Sequence, residues 1–317
     1  GANFNEYGNS AENIRRDCRR IADMGFTHVA VEVRPTSGNV LFRSGLAPAL
    51  TQVARWTPDG LRYFPRTADF DYLEAWIKYG HEAGLKVIAA VNMMVGGFKC
   101  EDGETGLVYD RPELQEWCAV DLLPDGTLIN HANNASDAGG RFLDPANPGV
   151  QAFLLGLLRE VSAYEDLDGI VMDRCRYDDY ALDAGYTKAA YKAFSGYLGR
   201  EPERWPVFSE PGHIFLDRTP DWLELQWLTF RCKVIHDFVA EAADAVHSVR
   251  RDLPFGIYVG AWFSEYYRSG VNWTSPRYEL SEEEPTFSWA TPEYQATGFA
   301  DLVDFMILGA YCPAANI

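Results

Sequence analysis

The stretch that decides the fold is Leu167-Asp168-Gly169-Ile170-Val171-Met172-Asp173-Arg174-Cys175-Arg176-Tyr177-Asp178. Its apolar run from Gly169 to Met172 predicts a short strand that is covered on both faces, as parallel strands are. Asp173 stands where this strand ends. In a β/α barrel the C-terminal ends of the strands form the active-site face, so Asp173 is a candidate catalytic carboxylate. The alternative is a structural role, in which Asp173 caps a turn or pairs with Arg174 or Arg176.

Composition narrows the partners that this chain is expected to bind. It has 317 residues, 47% hydrophobic and 14% aromatic, and a net charge of -18. This length is typical of a β/α barrel. Nucleic acids and anionic membrane surfaces bind basic faces, so neither is expected as a partner. No run of about 20 apolar residues predicts a membrane span. An acidic surface with many aromatic side chains suits neutral or cationic ligands, sugars among them.

Strands and helices alternate on both sides of the central stretch. Strands are predicted at residues 28–35, 85–92, 255–262 and 302–308, and Asn3-Phe4 is interpreted as the end of a further one. Helices are predicted at residues 10–24, 71–83, 147–161, 188–198 and 221–250. This order predicts a parallel sheet and an α/β fold of the (β/α)8 TIM-barrel type with long βα loops. A closed barrel needs eight strands. We therefore expect one catalytic domain over residues 1–317 that lacks its last strands and is incomplete at both ends.

The first complete strand has two different faces. Val29, Val31 and Val33 share one face, and Glu32 and Arg34 share the other, because side chains alternate along a strand. If helices cover the valine face, Glu32 and Arg34 point into the barrel. There they either contact a ligand or form a structural ion pair that fills the lumen.

Two long excursions follow predicted strands, over residues 35–65 and 96–140. Both are rich in turn-forming residues, with Asp-Gly pairs at 102–103 and 125–126. Asn92 stands at the end of the strand that precedes the second excursion. Loops of this length in a compact domain are usually functional.

Cysteines and histidines give no sign of a cofactor. The six cysteines include no C-x-x-C pair, and their spacing does not fit a zinc site. Cys18 and Cys232 fall on apolar helix faces, which predicts buried thiols, whereas a disulfide between Cys100 and Cys118 stays open. The histidines form no His-x-His or His-Glu-x-x-His set, and neither a Gly-x-Ser-x-Gly elbow nor a glycine-rich phosphate loop occurs. We expect no metal and no cofactor.

Two segments carry a resemblance to a known family. Residues 141–150 read Arg-Phe-Leu-Asp-Pro-Ala-Asn-Pro-Gly-Val, and an apolar helix then leads to Asp-Gly-Ile-Val-Met-Asp at 168–173. In this order the segments resemble the family-ten glycosyl-hydrolase-like proteins, bacterial β/α-barrel proteins related to the α-amylase superfamily. The Val-Arg-Pro end of the strand at 29–35, residues 70–92 and Phe255-Gly256-Ile257 are similar too. The resemblance covers about residues 14–311. It implies a carbohydrate-cleaving enzyme that is periplasmic, cell-surface or secreted, with the cytoplasm left open.

The resemblance also implies catalytic roles. Asp173 would be the nucleophile at the end of strand four, and the acid/base would follow strand five, where Glu265 is the nearest carboxylate. Arg174 and Arg176 are expected to keep Asp173 ionised, whereas aromatic neighbours give Glu265 the apolar surroundings that suit a proton donor. The alternative for Glu265 is an exposed loop position. The sequence departs from the family pattern because Arg174 replaces a second acidic residue and no glutamate ends strand five.

Several further residues are predicted to serve the same site. Glu32 and Asp178 are alternatives for the second carboxylate. The predicted substrate contacts are Arg34, Asn92, Arg174, Arg176, Tyr177, Asp178, Tyr258, Trp262, Tyr266 and Tyr267. Flat aromatic faces can stack on sugar rings, Trp273 included, although two or three of the aromatic residues after residue 260 are equally compatible with the core.

The sequence therefore predicts a retaining glycoside hydrolase that acts on a poly- or oligosaccharide. The alternative is a carbohydrate-binding barrel that does not cleave its ligand. A second carboxylate within about 10 Å of Asp173 distinguishes the two, because both hydrolytic mechanisms need a pair of carboxyl groups.

Overall fold

A five-stranded parallel sheet forms the centre of the computed structural model, which describes residues 8–134, 139–178, 182–208 and 218–311. Its strands are β1 His28–Arg34, β2 Lys86–Asn92, β3 Gly169–Asp173, β4 Phe255–Gly260 and β5 Phe305–Gly309. They are neighbours in this order, and each pair is parallel. Within the described residues the sheet is open, so the expected parallel β/α architecture is present without a closed barrel. The strand interpreted at Asn3-Phe4 lies outside these residues.

Five helices connect or flank these strands. They are α1 Ala11–Asp23, α2 Tyr72–Glu82, α3 Pro148–Ser162, α4 Lys188–Leu198 and α5 Trp222–Val249. Their first turns are capped by side chains, as the sequence suggests. Ser10 accepts the N–H of Asn13 at the start of α1, and Asn147 precedes Pro148 at the start of α3. Asp221 and Glu224 form a capping box at the start of α5. None of the helices in the described ranges is both long and apolar enough to cross a membrane.

The core lies between the sheet and its helices. Val31 and Val33 of β1 are 3% and 0% exposed and pack in this core, as the alternation predicted. A second cluster, rich in aromatic side chains such as Phe194 and Trp227, fills the space between α4 and the first half of α5. Helix α5 supplies residues to both clusters and joins them.

The excursions contain more regular structure than the sequence indicated. Residues 35–65 were expected to be irregular but include an antiparallel hairpin of Gln52–Thr57 and Gly60–Pro65. The second excursion includes a three-stranded antiparallel sheet and a two-stranded one. Their strands are Val95–Cys100, Gly103–Thr105 and Gly139–Phe142, then Val120–Leu122 and Leu128–Asn130. The Asp-Gly pairs at 102–103 and 125–126 lie where two of these strand pairs turn back.

The cysteines in the described ranges are free thiols. Cys18 and Cys232 are buried, as predicted, and burial raises the pKa of each thiol to about 12. Cys100 and Cys118 are also free and buried, so the disulfide left open by the sequence is not formed. Cys312 lies outside the described residues.

Candidate active site

A row of polar side chains crosses the C-terminal edge of the sheet on the face opposite Val31 and Val33, which would be the lumen face of a closed barrel. Asp173 at the end of β3 pairs in register with Asn92 at the end of β2. Asn92 Nδ2 donates to Glu32 Oε1 at 2.7 Å and to the carbonyl oxygen of Arg34 at 2.9 Å. The amide of Asn92 therefore stands between two carboxylates that were predicted to serve one site.

Tyr258 extends this row on the other side of Asp173. Burial, a hydrogen bond to Tyr311 and the nearby charge of Asp173 all raise the pKa of the Tyr258 hydroxyl. Tyr258 Oη donates to Tyr311 Oη at 2.7 Å. Gly309 makes room for this phenol, because a Cβ atom at Gly309 would collide with the Tyr258 hydroxyl. The polar row thus consists of Glu32, Asn92, Asp173 and Tyr258.

Arg34 lies beneath the row and is fully buried. Its guanidinium donates to the carbonyl oxygens of Asn92, Met93 and Val95, the last two at 3.0 and 2.7 Å. Burial lowers its pKa to about 9, which leaves the guanidinium protonated at neutral pH. Arg34 therefore holds the end of β2 in place. A substrate contact would need an exposed side chain, and that of Arg34 is buried.

The backbone at the end of β3 is held in an unusual conformation. Arg174 has a φ of 49°, in the left-handed region, and its N–H donates to Asp173 Oδ1 at 2.6 Å. The N–H groups of Met93 and Met94 donate to the carbonyl oxygens of Asp173 and Arg174. Non-glycine residues in such conformations cluster at functional sites. The turn fixes the Asp173 carboxylate and directs the Arg174 side chain to the adjacent cavity.

That cavity has a volume of about 600 Å³ and is built by the chain segments that follow β1, β2 and β3. We call it the acidic cavity, after the side chains that characterise its wall: Asp121, Asp178, Asp183, Arg174, Phe98 and Phe142. Its three carboxylates are half-buried. The predicted substrate contacts Arg174 and Asp178 are brought together here, whereas Asp121 and Asp183 were not predicted.

A histidine lies behind two of these carboxylates. Ligand-type atoms of Asp121, His131 and Asp178 all lie within 4.8 Å of one another, close enough to raise the question of a metal ion. The backbone N–H of Phe142 donates to His131 Nδ1 at 3.1 Å. Neutral His131 therefore carries its proton on Nε2, which faces Asp178 Oδ2 at 3.9 Å. A metal on Nε2 would have to displace that proton, so the geometry favours a histidine–carboxylate pair.

A second cavity, of about 270 Å³, adjoins the first and shares Thr36 and Phe98 with it. Its wall is formed by the residues after β1, by the hairpin at 52–65 and by the strand Val95–Cys100. We call it the neutral groove, because its described lining contains no charged side chain. Trp56, at the tip of the hairpin, is 82% exposed. A Pro-Asp-Gly turn at 58–60 between two alternating segments is a sequence signal for this hairpin.

Glu265 does not have the apolar surroundings expected of a proton donor. It lies on a short helix, Phe263–Tyr266, and its Oε2 accepts from Arg268 Nη2 at 2.8 Å. The Arg268 side chain is 2% exposed and that of Glu265 is 41% exposed. The buried guanidinium of Arg268, three residues after Glu265, therefore binds this carboxylate. The sequence prediction considered only the aromatic neighbours of Glu265 and missed this arginine.

Most of the other aromatic candidates pack inside the protein. Tyr177, Tyr266 and Tyr267 are 1%, 6% and 5% exposed, which leaves their rings little surface for a sugar. The guanidinium of Arg231 lies over the ring of Tyr177 at 4.3 Å. Tyr266 Oη accepts the N–H of Gly260 at 2.8 Å, so it supports the end of β4.

Three further predicted contacts keep part of their surface. Strand β4 ends at Gly260 rather than at Trp262, which is half-buried and packs its ring at 6.0 Å from that of Tyr311. Trp273 is half-buried against the ring of Phe263. The guanidinium of Arg176 lies over the ring of Phe142, on the wall of the acidic cavity.

Comparisons with known proteins agree with this architecture. A family model described as Glycosyl hydrolase-like 10 matches residues 9–278. An S-layer-related protein of Niallia circulans is 29% identical over 312 residues, which are 95% of this chain and 19% of that protein. The chain thus spans about a fifth of the length of this relative.

Solved structures give the same fold at low sequence identity. A β-galactosidase from the haloarchaeon Halorubrum lacusprofundi has a TM-score of 0.53 and 15% identity, over 92% of this chain and 42% of that one. The catalytic domain of a β-amylase from Paenibacillus polymyxa has a TM-score of 0.52 and 12% identity, over 91% and 72%. At such identities the likeness concerns the fold alone.

Proposed function

Because the chain belongs to the glycosyl hydrolase-like 10 family, we propose that it is a glycoside hydrolase that cleaves a poly- or oligosaccharide. The observation that carries the proposal is the polar row at the C-terminal edge of the sheet. It sets the carboxylates of Asp173 and Glu32 on one lumen-facing edge, with Asn92 between them. Hydrolysis of a glycosidic bond needs two carboxyl groups in such a position.

We propose Asp173 and Glu32 as these two groups. Strands β3 and β1 flank β2, and Glu32 pairs with Ala90 whereas Asp173 pairs with Asn92, so the two residues lie roughly 12 Å apart at their backbones. The Glu32 side chain reaches toward Asn92 Nδ2, at 2.7 Å, which shortens the separation of the two carboxylates. That separation favours inversion, in which the carboxyl groups are about 6.5–9.5 Å apart and Asp173 activates a water molecule. The family resemblance instead implies retention, with direct attack by Asp173 and carboxyl groups about 5–5.5 Å apart. The anomeric form of the first product distinguishes the two.

The neighbouring residues have supporting roles in this proposal. Asn92 orients Glu32 through its amide, and Arg34 fixes the strand end that carries Asn92. The Tyr258 hydroxyl donates to Tyr311, so its oxygen would accept from a sugar hydroxyl beside Asp173. Because the relative from Niallia circulans is named S-layer-related, we also propose that the protein acts at the cell surface.

A second candidate function is carbohydrate binding without cleavage. It is favoured by the ion pair that binds Glu265 to Arg268, which removes the carboxylate expected after the fifth barrel strand from the role of proton donor. In this case the polar row would bind a sugar and Glu32 would take no part in a reaction.

The proposal is tested by hydrolysis of a panel of glycans with the wild type and with Asp173→Asn. The matched control is Asp166→Asn, which makes the same change at an exposed position near the opposite end of β3. We expect cleavage by the wild type and the control, and at least a ~10³-fold loss in Asp173→Asn. Equal cleavage by all three proteins would show that Asp173 is not a catalytic residue. Binding of a glycan by the wild type without cleavage would favour the second candidate.

A further inference from the structure

We infer that the neutral groove is a distal sugar-binding subsite, in which Trp56 stacks on a ring of an extended glycan chain whose cleaved bond lies at the polar row. This inference rests on the proposed function and specifies its substrate. The substrate class is a glycan of several neutral sugar residues, bound across both cavities, rather than a short saccharide held at Asp173 alone.

The two cavities are neighbours. Thr36 and Phe98 line both of them. Arg174, the residue after Asp173, lines the acidic cavity, and Trp56 lines the neutral groove. A chain that lies in the acidic cavity and extends beyond Thr36 therefore enters the groove.

The hairpin presents a flat aromatic face to this path. Its register pairs Ala54 with Tyr63 and Trp56 with Leu61, so these four side chains share one face, and all four line the groove. Trp56 is 82% exposed. An indole so exposed leaves a large apolar area in contact with water, and a sugar ring stacked on it would cover that area.

Hydrogen bonds attach the hairpin to the opposite wall of the groove. Tyr63 Oη donates to the carbonyl oxygen of Phe98, on the opposite wall, at 3.0 Å. Asp102 accepts the N–H of Tyr63 at 2.8 Å and a guanidinium N–H of Arg62 at 2.7 Å. The strand Gly60–Pro65 is thus tied to the excursion that follows β2, and Trp56 is carried by the strand that pairs with it.

The polar groups of the groove suit neutral sugars. Thr36, Gln52 and Thr105 line it, and within the described ranges their side chains make no hydrogen bond to the protein. The chain has a net charge of -18, yet the described lining of the groove is uncharged. Apolar walls with a few available hydroxyl and amide groups are typical of small-ligand sites.

The test measures how activity and binding depend on glycan length. The probes are ladders of β-1,4-glucan, chitin and α-1,4-glucan oligosaccharides, from disaccharides upward. The variants are Trp56→Ala, the conservative Trp56→Phe, and Trp222→Ala as the matched control, since Trp222 is an exposed tryptophan that lines neither cavity. Binding is measured separately by calorimetry in the Asp173→Asn background.

We expect kcat/KM of the wild type to rise with chain length on the ladder that it cleaves. In Trp56→Ala the ratio of kcat/KM for long over short chains should fall about tenfold, as loss of one stacked ring implies. Trp56→Phe should keep most of this ratio, and Trp222→Ala all of it. The affinity of Asp173→Asn for long chains should fall by a similar factor when Trp56→Ala is added.

Two other results would overturn the inference in distinguishable ways. If the wild type cleaves a ladder and Trp56→Ala keeps the full length dependence, the groove is not a subsite and the proposed hydrolase stands. If no ladder is cleaved or bound by the wild type, the proposed function and the subsite fail together.

Discussion

The acidic cavity and the neutral groove share a wall but differ in charge. Thr36 and Phe98 belong to both, yet one cavity has the carboxylates of Asp121, Asp178 and Asp183 and the other has no charged lining in the part of the chain that the structure describes. The difference follows from the excursions that build them. The neutral groove takes one face of a hairpin whose alternate residues are apolar, whereas the acidic cavity collects polar loop residues from three segments. In our proposal the cleaved bond lies at the polar row beside the acidic cavity, and the neutral groove binds the extended chain.

The sharpest test of this division is Glu32→Gln, which alters the polar row and leaves the groove intact. We expect kcat to fall on the order of a thousandfold with little change in KM, because a proton-transferring carboxyl is lost while binding surfaces remain. The pH–rate profile should also lose one of its limbs. Glu265→Gln is the control, and its kcat should stay close to that of the wild type because Arg268 already binds that carboxylate. A larger loss in Glu265→Gln than in Glu32→Gln would reverse our assignment.

Phe142 lines the acidic cavity, and the buried carboxyl two residues later, Asp144, should make the stability of the protein depend on pH. Asp144 is fully buried, and burial raises its pKa to about 6 although Thr187 and the N–H of Ala146 donate to it. The folded protein therefore binds more protons than the unfolded chain between about pH 4 and 6, and the free energy of unfolding falls as pH rises through that window. The rise from the ordinary aspartate pKa of 3.8 corresponds to roughly 3 kcal/mol.

Urea unfolding of the wild type and of Asp144→Asn between pH 4 and 7 checks this expectation. Asparagine keeps an oxygen that can accept from Thr187 but does not titrate. The difference in unfolding free energy between the two proteins should change by about 3 kcal/mol as pH rises through the window and level off near pH 7. Parallel curves over the whole range would contradict the assignment of a raised pKa to Asp144.

The smallest expected effect concerns the charge of the ligand. The carboxylates of the acidic cavity should repel uronic-acid oligosaccharides, so Asp183→Asn should bind them a few-fold more tightly than the wild type at low salt. The gain should shrink as salt is added, because partly exposed charges are screened. Thr105→Ala in the neutral groove is the control and should show no such salt dependence. A gain in affinity that does not depend on salt would mean that the substitution changes the fit of the ligand rather than its electrostatic repulsion.

The positions of the polar-row residues on the sheet follow from local rules, whereas their roles remain a proposal. Glu32, Asn92, Asp173 and Tyr258 lie at or near strand ends, and the period of two assigns them to the lumen face before any contact is known. The strand and helix limits also differ by only a few residues from the predicted ones. The exception at Trp262 arises because β4 ends at Gly260, where the chain turns into the short helix Phe263–Tyr266.

The two cavities could not be predicted in the same way. Asp121 and His131 meet because the strands Val120–Leu122 and Leu128–Asn130 of the second excursion pair antiparallel, whereas Asp178 reaches them from the segment after β3. No spacing rule connects them. The burial of Tyr177, Tyr266 and Tyr267 likewise depends on packing between segments that follow different strands. The position of Trp56 could be predicted in part. The Pro-Asp-Gly turn that follows it indicates a hairpin, but it does not indicate which surface the hairpin faces.

Arg34 has a consequence for how this protein can change during evolution. Its guanidinium holds three carbonyl oxygens at the end of β2 and at Val95, the first residue of the strand that carries Phe98. Phe98 belongs to the wall of both cavities. A substitution at Arg34 would therefore disturb a strand end and two binding regions at once. Natural variants should tolerate change at Trp56 or Asp183, which alters ligand choice alone, far more readily than change at this one arginine.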